Sequence, residues 1–188
     1  MPTDTREKIL QGAFDVLSRE GYENTSIKQI AEEAGVAQGL VHYYFKSKQR
    51  LVLEVLQFVC HKIELGDQGE AGAMAAFEDT KQKIREDRGS NALYVQLIGM
   101  ALHDAEVGAG MRDFIRGQRG LVEDIARQVL AERELDPTPA RGIAGAVWGA
   151  VLGIIIQSLI EPEFNADEAI DALAAMSLSA VYRTEPSA

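Results

Sequence analysis

Cysteine is almost missing from this chain of 188 residues: Cys60 stands alone, which excludes a disulfide framework within the chain and fits a reducing compartment. Prolines number only five and the seventeen glycines are scattered, so the chain is not a low-complexity or disordered one. No basic tract, apolar run and small-residue cleavage site follow the polar opening from Met1 to Arg6, so a cytoplasmic rather than secreted protein is expected. Internal repeats are absent, as are a phosphate loop, a nucleophile elbow and a dinucleotide-type glycine fingerprint. Two adjacent pairs, Cys60-His61 and His103-Asp104, suggest nucleophile or metal chemistry, but neither comes with a second cluster at ligand spacing. No catalytic residue, metal or cofactor is therefore expected.

What is present is ordinary globular material, 46% hydrophobic and 26% charged, in a chain long enough to bury a sizeable core without staples. The net charge of -10 argues at first against a nucleic-acid binder. Its distribution reverses that argument. Residues 1–50 carry seven basic and seven acidic side chains, so the whole excess lies beyond residue 50. Within 26–50, Lys28, Lys46, Lys48 and Arg50 outnumber Glu32 and Glu33. A locally positive face on an acidic body is compatible with DNA binding.

Apolar residues recur with the helical period almost everywhere, while no segment alternates with strand-like enrichment, so the expected class is all-α. A first helix is predicted from about Asp4 to Glu20, ended by Gly21. Ser26 with Gln29 three residues on marks a capping box for the second, which Gly35 stops. A third spans about 37–44, and Ser47 caps a fourth that runs to about Leu65 with Leu51, Val52, Val55, Leu56, Val59 and Ile63 on its apolar face. A glycine-rich, charged linker is predicted at Gly66–Gly72. Beyond it helices are predicted at about 73–88, 92–105, 110–134, 138–160 and 167–182, with Asn91 and Asp167 as caps and Pro137, Pro139 and Pro162 at boundaries.

The informative stretch is Thr25 to Arg50. Two short helices joined at Gly35 must cross steeply, which needs a small residue at the contact, a turn at positive φ and an apolar residue facing back. Ala31, Gly35 and Val41 stand at those places. The result is a helix-turn-helix whose second helix exposes Gln38, Gly39, His42 and Tyr43 and leads into Tyr44, Lys46 and Lys48, groups able to meet base edges and phosphates. The competing reading makes these aromatics core and these lysines a solvated face, and it is the preferred one for Phe45.

At these residues the chain resembles the TetR-like family of bacterial transcriptional repressors. Gly21-Tyr22, Thr25-Ser26, Ile30-Ala31, Gly35-Val36, Tyr43-Tyr44-Phe45, Lys46-Ser47-Lys48 and Leu51 follow the family pattern in order, over about residues 6 to 56. The resemblance implies that Gln38 reads bases and Gly39 lets the backbone approach the groove. Tyr43 and Lys48 would hold phosphates, with Lys46 a weaker candidate, while Ser26 and Lys28 contact backbone or base and Tyr44 meets a thymine methyl or packs inward. Two departures stand out: Ala37 replaces the usual serine or threonine cap, and His42 replaces a frequent tyrosine. The architecture implied is a DNA-binding domain over 1–50 and a helical effector-binding and dimerisation domain over 51–188.

A single helix-turn-helix makes few base contacts, so a homodimer on a pseudo-palindromic, double-stranded operator is expected. The uncharged stretch Gly142–Ile160 has Gly145, Gly149 and Gly153 in one row, where a partner helix can approach closely. It is long enough to raise the question of a membrane span, but Gln157 and Ser158 interrupt it and no basic cluster bounds it, so a packed helix without membrane insertion is expected. Pairing through the last two helices is also what the resemblance implies, as is a cavity for a small, largely apolar effector. Phe58, Phe77, Leu97, Ile98, Met100, Ala101, Met111 and Phe114 can face one another there, and Tyr94, His103 and Trp148 are the polar-tipped candidates for orienting the effector.

Overall fold

The computed structural model describes residues 4–60 and 69–181. Among these residues there are nine helices and no strand: α1 (Thr5–Asn24), α2 (Ile27–Glu33), α3 (Gln38–Phe45), α4 (Lys48–Cys60), α5 (Gly69–Glu86), α6 (Arg88–Ala101), α7 (Ala105–Glu132), α8 (Ala140–Ile160) and α9 (Ala166–Val181). The all-α class expected from periodicity is the class observed. Residues 66–68 of the predicted linker, Ile63 and His61 lie outside the described residues; the rest of that linker, 69–72, is instead the first turn of α5, with Gly69 and Gly72 buried.

The chain forms two compact units, Met1–Ile63 with Gly89–Phe114, and Glu64–Arg88 with Ile115–Ala188. In the first, α1 packs against α2 and α4, and α3 packs against α2 and α4. Its buried side chains include Ile9, Leu10 and Leu17 of α1, Ile30 of α2, Phe45 of α3, Leu51 and Leu56 of α4, and Leu93, Leu97 and Met111 further on. Each such burial contributes about 1.5–3 kcal/mol. Gly12 sets how closely α1 and α2 approach, because a Cβ there would lie 2.9 Å from the backbone nitrogen of Ala34. The regular helix breaks at Gly21 as expected, at a positive φ of 76° with ψ 168°, and a short helical stretch beyond this kink carries α1 on to Asn24.

In the second unit, α9 packs against both α5 and α8, and Ala73, Ala126, Val129, Leu130 and Ala140 form a core cluster. Arg133 pairs with Glu70 at 2.7 Å and Lys81 with Asp171 at 2.6 Å. Three predicted boundaries move, two of them through capping chemistry. Asp104 Oδ1 accepts the backbone N–H groups of Glu106 and Val107, so α7 begins at Ala105 rather than at Gly110. Asn91 lies inside α6 instead of capping it. Asn165 Oδ1 accepts from the Glu168 N–H and takes the capping role expected of Asp167, which sits in the first turn of α9.

Candidate nucleic-acid interface

The second and third helices are positioned by the local chemistry that the sequence displays. Thr25 is buried and its hydroxyl donates to the Gly21 carbonyl at 2.7 Å. The Ser26 capping box is complete: Gln29 N–H donates to Ser26 Oγ at 3.2 Å, and Gln29 Oε1 accepts from the Ser26 N–H at 2.8 Å. The Ser26 hydroxyl also donates to Gln29 Oε1, so this side chain is occupied by the cap. Gly35 takes the positive φ of 64° that the turn requires. Val36 N–H then returns to the Ala31 carbonyl at 2.9 Å. Ala31 and Val41 are buried where the two helices meet.

α3 is anchored from beneath by Val41 and Phe45, both almost fully buried. Its opposite side is open. Gln38, Gly39, Leu40, His42, Tyr43 and Tyr44 are all exposed, Tyr43 to 77%, and the Tyr43 and Tyr44 rings meet edge-on at 5.3 Å. Ala37 supplies no side-chain cap, which leaves the first amides of α3 without the bond that Ser26 gives α2. A Cβ at Gly39 would meet nothing within 4 Å, so packing within the chain does not require glycine there. Phe45 is core, as preferred from the sequence. Leu40 was not among the residues singled out in the sequence; its signal there is the four-residue spacing to Tyr44, off the Val41–Phe45 stripe.

The lysines differ from one another. Lys28 is exposed and pairs with Glu32 at 3.8 Å. Lys46 is exposed and ends α3 at φ 56°, a backbone state uncommon outside glycine. Lys48 turns inward: its ammonium donates to the Tyr22 carbonyl and lies 4.0 Å from the centre of the Tyr22 ring. Burial pushes the Lys48 pKa down, with the Glu23 carboxylate pulling the other way. Burial pushes the Tyr22 phenol up, helped by Glu23, Asp104 and Glu106. The Tyr22 peptide is held from a second side as well, since Gln96 Oε1 of α6 accepts its N–H at 3.1 Å.

Of the effector candidates, Tyr94 is buried and its ring packs 5.7 Å from that of Phe114. His103 is exposed and borders a 660 Å³ cleft lined by Glu20, Gly21, Tyr22, Glu23, Asn24, Gln96, Gly99, Met100 and Asp104. That lining includes three carboxylates, Glu20, Glu23 and Asp104, and Tyr94 is not part of it. Trp148 is half-buried on α8 in the other unit. Among the described residues no group of three or more His, Cys, Asp or Glu side chains could hold a metal ion.

Comparison with known proteins adds a second line. The model for bacterial regulatory proteins of the tetR family matches residues 9–55, the helix-turn-helix with the helices on either side. The model for the C-terminal region of BetI-type transcriptional repressors matches residues 70–180. The HTH-type transcriptional regulator CymR of Pseudomonas putida is 24% identical over 162 residues, covering 83% of this chain and 80% of its own. BetI of Vibrio atlanticus is 25% identical over 183 residues, covering 90% and 88%. A TetR transcription regulator from Haloarcula marismortui shares the fold with a TM-score of 0.77 at 17% identity, over 97% of this chain and 98% of that one.

Proposed function

From the premise that this chain belongs to the tetR family of bacterial regulatory proteins, we propose that it is a repressor that binds a palindromic operator as a homodimer and is released by a small, largely apolar effector. That it is a DNA-binding regulator of transcription follows from the family. The finer reading rests on one observation above the others: the outer face of α3 is open, bears Gln38, His42 and Tyr43, and contains a glycine that the chain's own packing does not need. A glycine inside a helix costs about 1 kcal/mol relative to alanine, and close approach of a groove floor offsets that cost.

In this reading Gln38 pairs with a base edge, Tyr43 and Lys46 hold phosphates, and Lys28 reaches the backbone from α2. Lys48 serves first to clamp the Tyr22 peptide and meets a phosphate with its remaining N–H groups. His42 offers an imidazole N–H where a phenol would have served. Residues 1–50 do the reading and 51–188 the sensing and pairing; the packing units cut elsewhere because α4 and residues 89–114 share the core of the N-terminal helices.

The pairing surface is α8 with α9. Only 22% of the most apolar stretch of α8 is buried, although the helix is long and apolar enough to cross a membrane. Gly142, Gly145, Gly149 and Gly153 would each have their Cβ in open space. On α9, Ala172, Ala175, Met176 and Ser179 are exposed. A second copy laid on these faces buries apolar area and brings backbones close. Release by an effector requires that it favour a conformer in which the two α3 helices no longer fit successive major grooves, and operator must then weaken effector binding by the same factor. Tyr22, gripped by Gln96 of α6 and Lys48 of α4, is the connection through which α4 acts as lever.

The test is binding of the full-length protein to duplex recovered by selection from a random pool. Wild type binds in a salt-dependent way, and the double variant Gln38→Ala, Tyr43→Ala binds weaker by about a hundredfold or more. Undiminished binding by that variant would remove α3 from the interface. Retention of the protein in a membrane pellet after a high-salt wash would overturn the soluble-dimer reading of α8.

A further inference from the structure

The outer face of α3 holds a side chain with no hydrogen-bonding capacity. Leu40 is 41% exposed, although leucine is among the residues most often withdrawn into cores. Val41 and Phe45 fix the direction in which α3 is buried. With about 3.6 residues per turn, Leu40 and Tyr44 then fall on one flank of the outer face, four residues apart, beside Gly39 and Tyr43. The backbone at Leu40 is held in the first turn, where its N–H donates to the Ala37 carbonyl at 2.9 Å. A lone exposed leucine is ordinary. This one is continuous with Tyr43 and Tyr44 and adjoins the bare backbone of Gly39, so it belongs to the surface that meets DNA.

The edges of base pairs in the major groove are mostly donors and acceptors, and their one protruding apolar group is the C5 methyl of thymine, where cytosine has only a C–H. A leucine set against a donor or acceptor would strip water from a polar group and return no partner, which is unfavourable, and against cytosine it would find less apolar surface than against thymine. We propose that Leu40 reads the C5 methyl of one thymine in each operator half-site, so that the first turn of α3 combines a hydrogen-bonding reader, Gln38, with an apolar one. This rests on α3 being the helix that enters the groove.

The experiment replaces each thymine of the selected operator in turn by deoxyuridine, which deletes the methyl and leaves the pairing edge intact. For wild type, binding falls at one thymine per half-site, by about fourfold for a single methyl and about fifteenfold for the symmetric pair. Leu40→Ala binds the thymine operator more weakly and no longer distinguishes thymine from deoxyuridine at that position. Circular dichroism and sedimentation, unchanged from wild type, confirm that the variant folds and pairs. The proposal is overturned if wild type is indifferent to every replacement, or if Leu40→Ala keeps the full difference while Tyr44→Ala loses it. Failure of the groove reading itself looks different: no operator is selected at all, or Gln38→Ala with Tyr43→Ala leaves binding intact.

Discussion

α3 and α8 both carry glycines whose missing side chains would meet only open space, yet their surfaces have opposite chemistry. Around Gly39 stand an amide, an imidazole and two phenols, with a lysine at the helix end; around Gly145 and Gly149 the exposed side of α8 has no charge up to Ile160. An unfilled helical glycine disfavours the isolated chain in both places. In the proposed function what offsets it differs: a polar, negatively charged groove for α3 and an apolar copy of the same helix for α8. On that reading the surrounding side chains, rather than the glycine, distinguish the partner.

The largest effect that would break this comparison is on DNA. Gln38→Ala with Tyr43→Ala should weaken operator binding by about a hundredfold or more, read by fluorescence anisotropy, because a bidentate base contact carries about 1–3 kcal/mol in each half-site. Dimerisation, read by sedimentation, should be unaffected. Next, Gly149→Leu should drive dimer to monomer, since a bulky side chain blocks close helix approach; an intact dimer would move the interface off α8. Milder changes sharpen the contrast. Gly39→Ala and Gly149→Ala should each raise the unfolding free energy of the monomer by up to about 1 kcal/mol, while the first weakens only operator binding and the second only pairing.

Lys46→Ala should lower the slope of log affinity against log salt by about 0.9 per phosphate contact, hence about 1.8 per dimer. The same change at Lys48 should alter that slope less and cost folding stability, because its ammonium is engaged with Tyr22. Equal slopes for the two variants would contradict this division. The smallest effect concerns the caps: Ala37→Ser should raise stability by about 1 kcal/mol and Ser26→Ala lower it by a similar amount in thermal unfolding.

The helix-turn-helix was legible because its determinants are local. The Ser26–Gln29 box, the positive φ of Gly35, the uncapped Ala37 and the Ser47 cap, whose Oγ accepts from the Arg50 N–H, follow from residues at most a few positions apart. The start of α7 was misplaced by a few residues because Asp104, which caps it, stands six residues before the predicted start at Gly110. Gly108 and Gly110 serve packing: a Cβ at Gly108 would lie 2.8 Å from the Ala101 carbonyl oxygen and one at Gly110 2.4 Å from Leu53. The inward turn of Lys48 depends on Tyr22, twenty-six residues away, and no local pattern reveals it. The exposure of His103 beside acidic side chains likewise depends on where α1 and α6 meet.

The central claim is that α3 reads duplex DNA in two symmetric copies. Selection of bound fragments from a random double-stranded pool by the purified full-length protein at low salt tests it most directly. The account predicts a two-fold-symmetric motif with half-sites about 10 base pairs apart or a multiple of that. Recovery of no enriched sequence, or of a motif without symmetry, would contradict it.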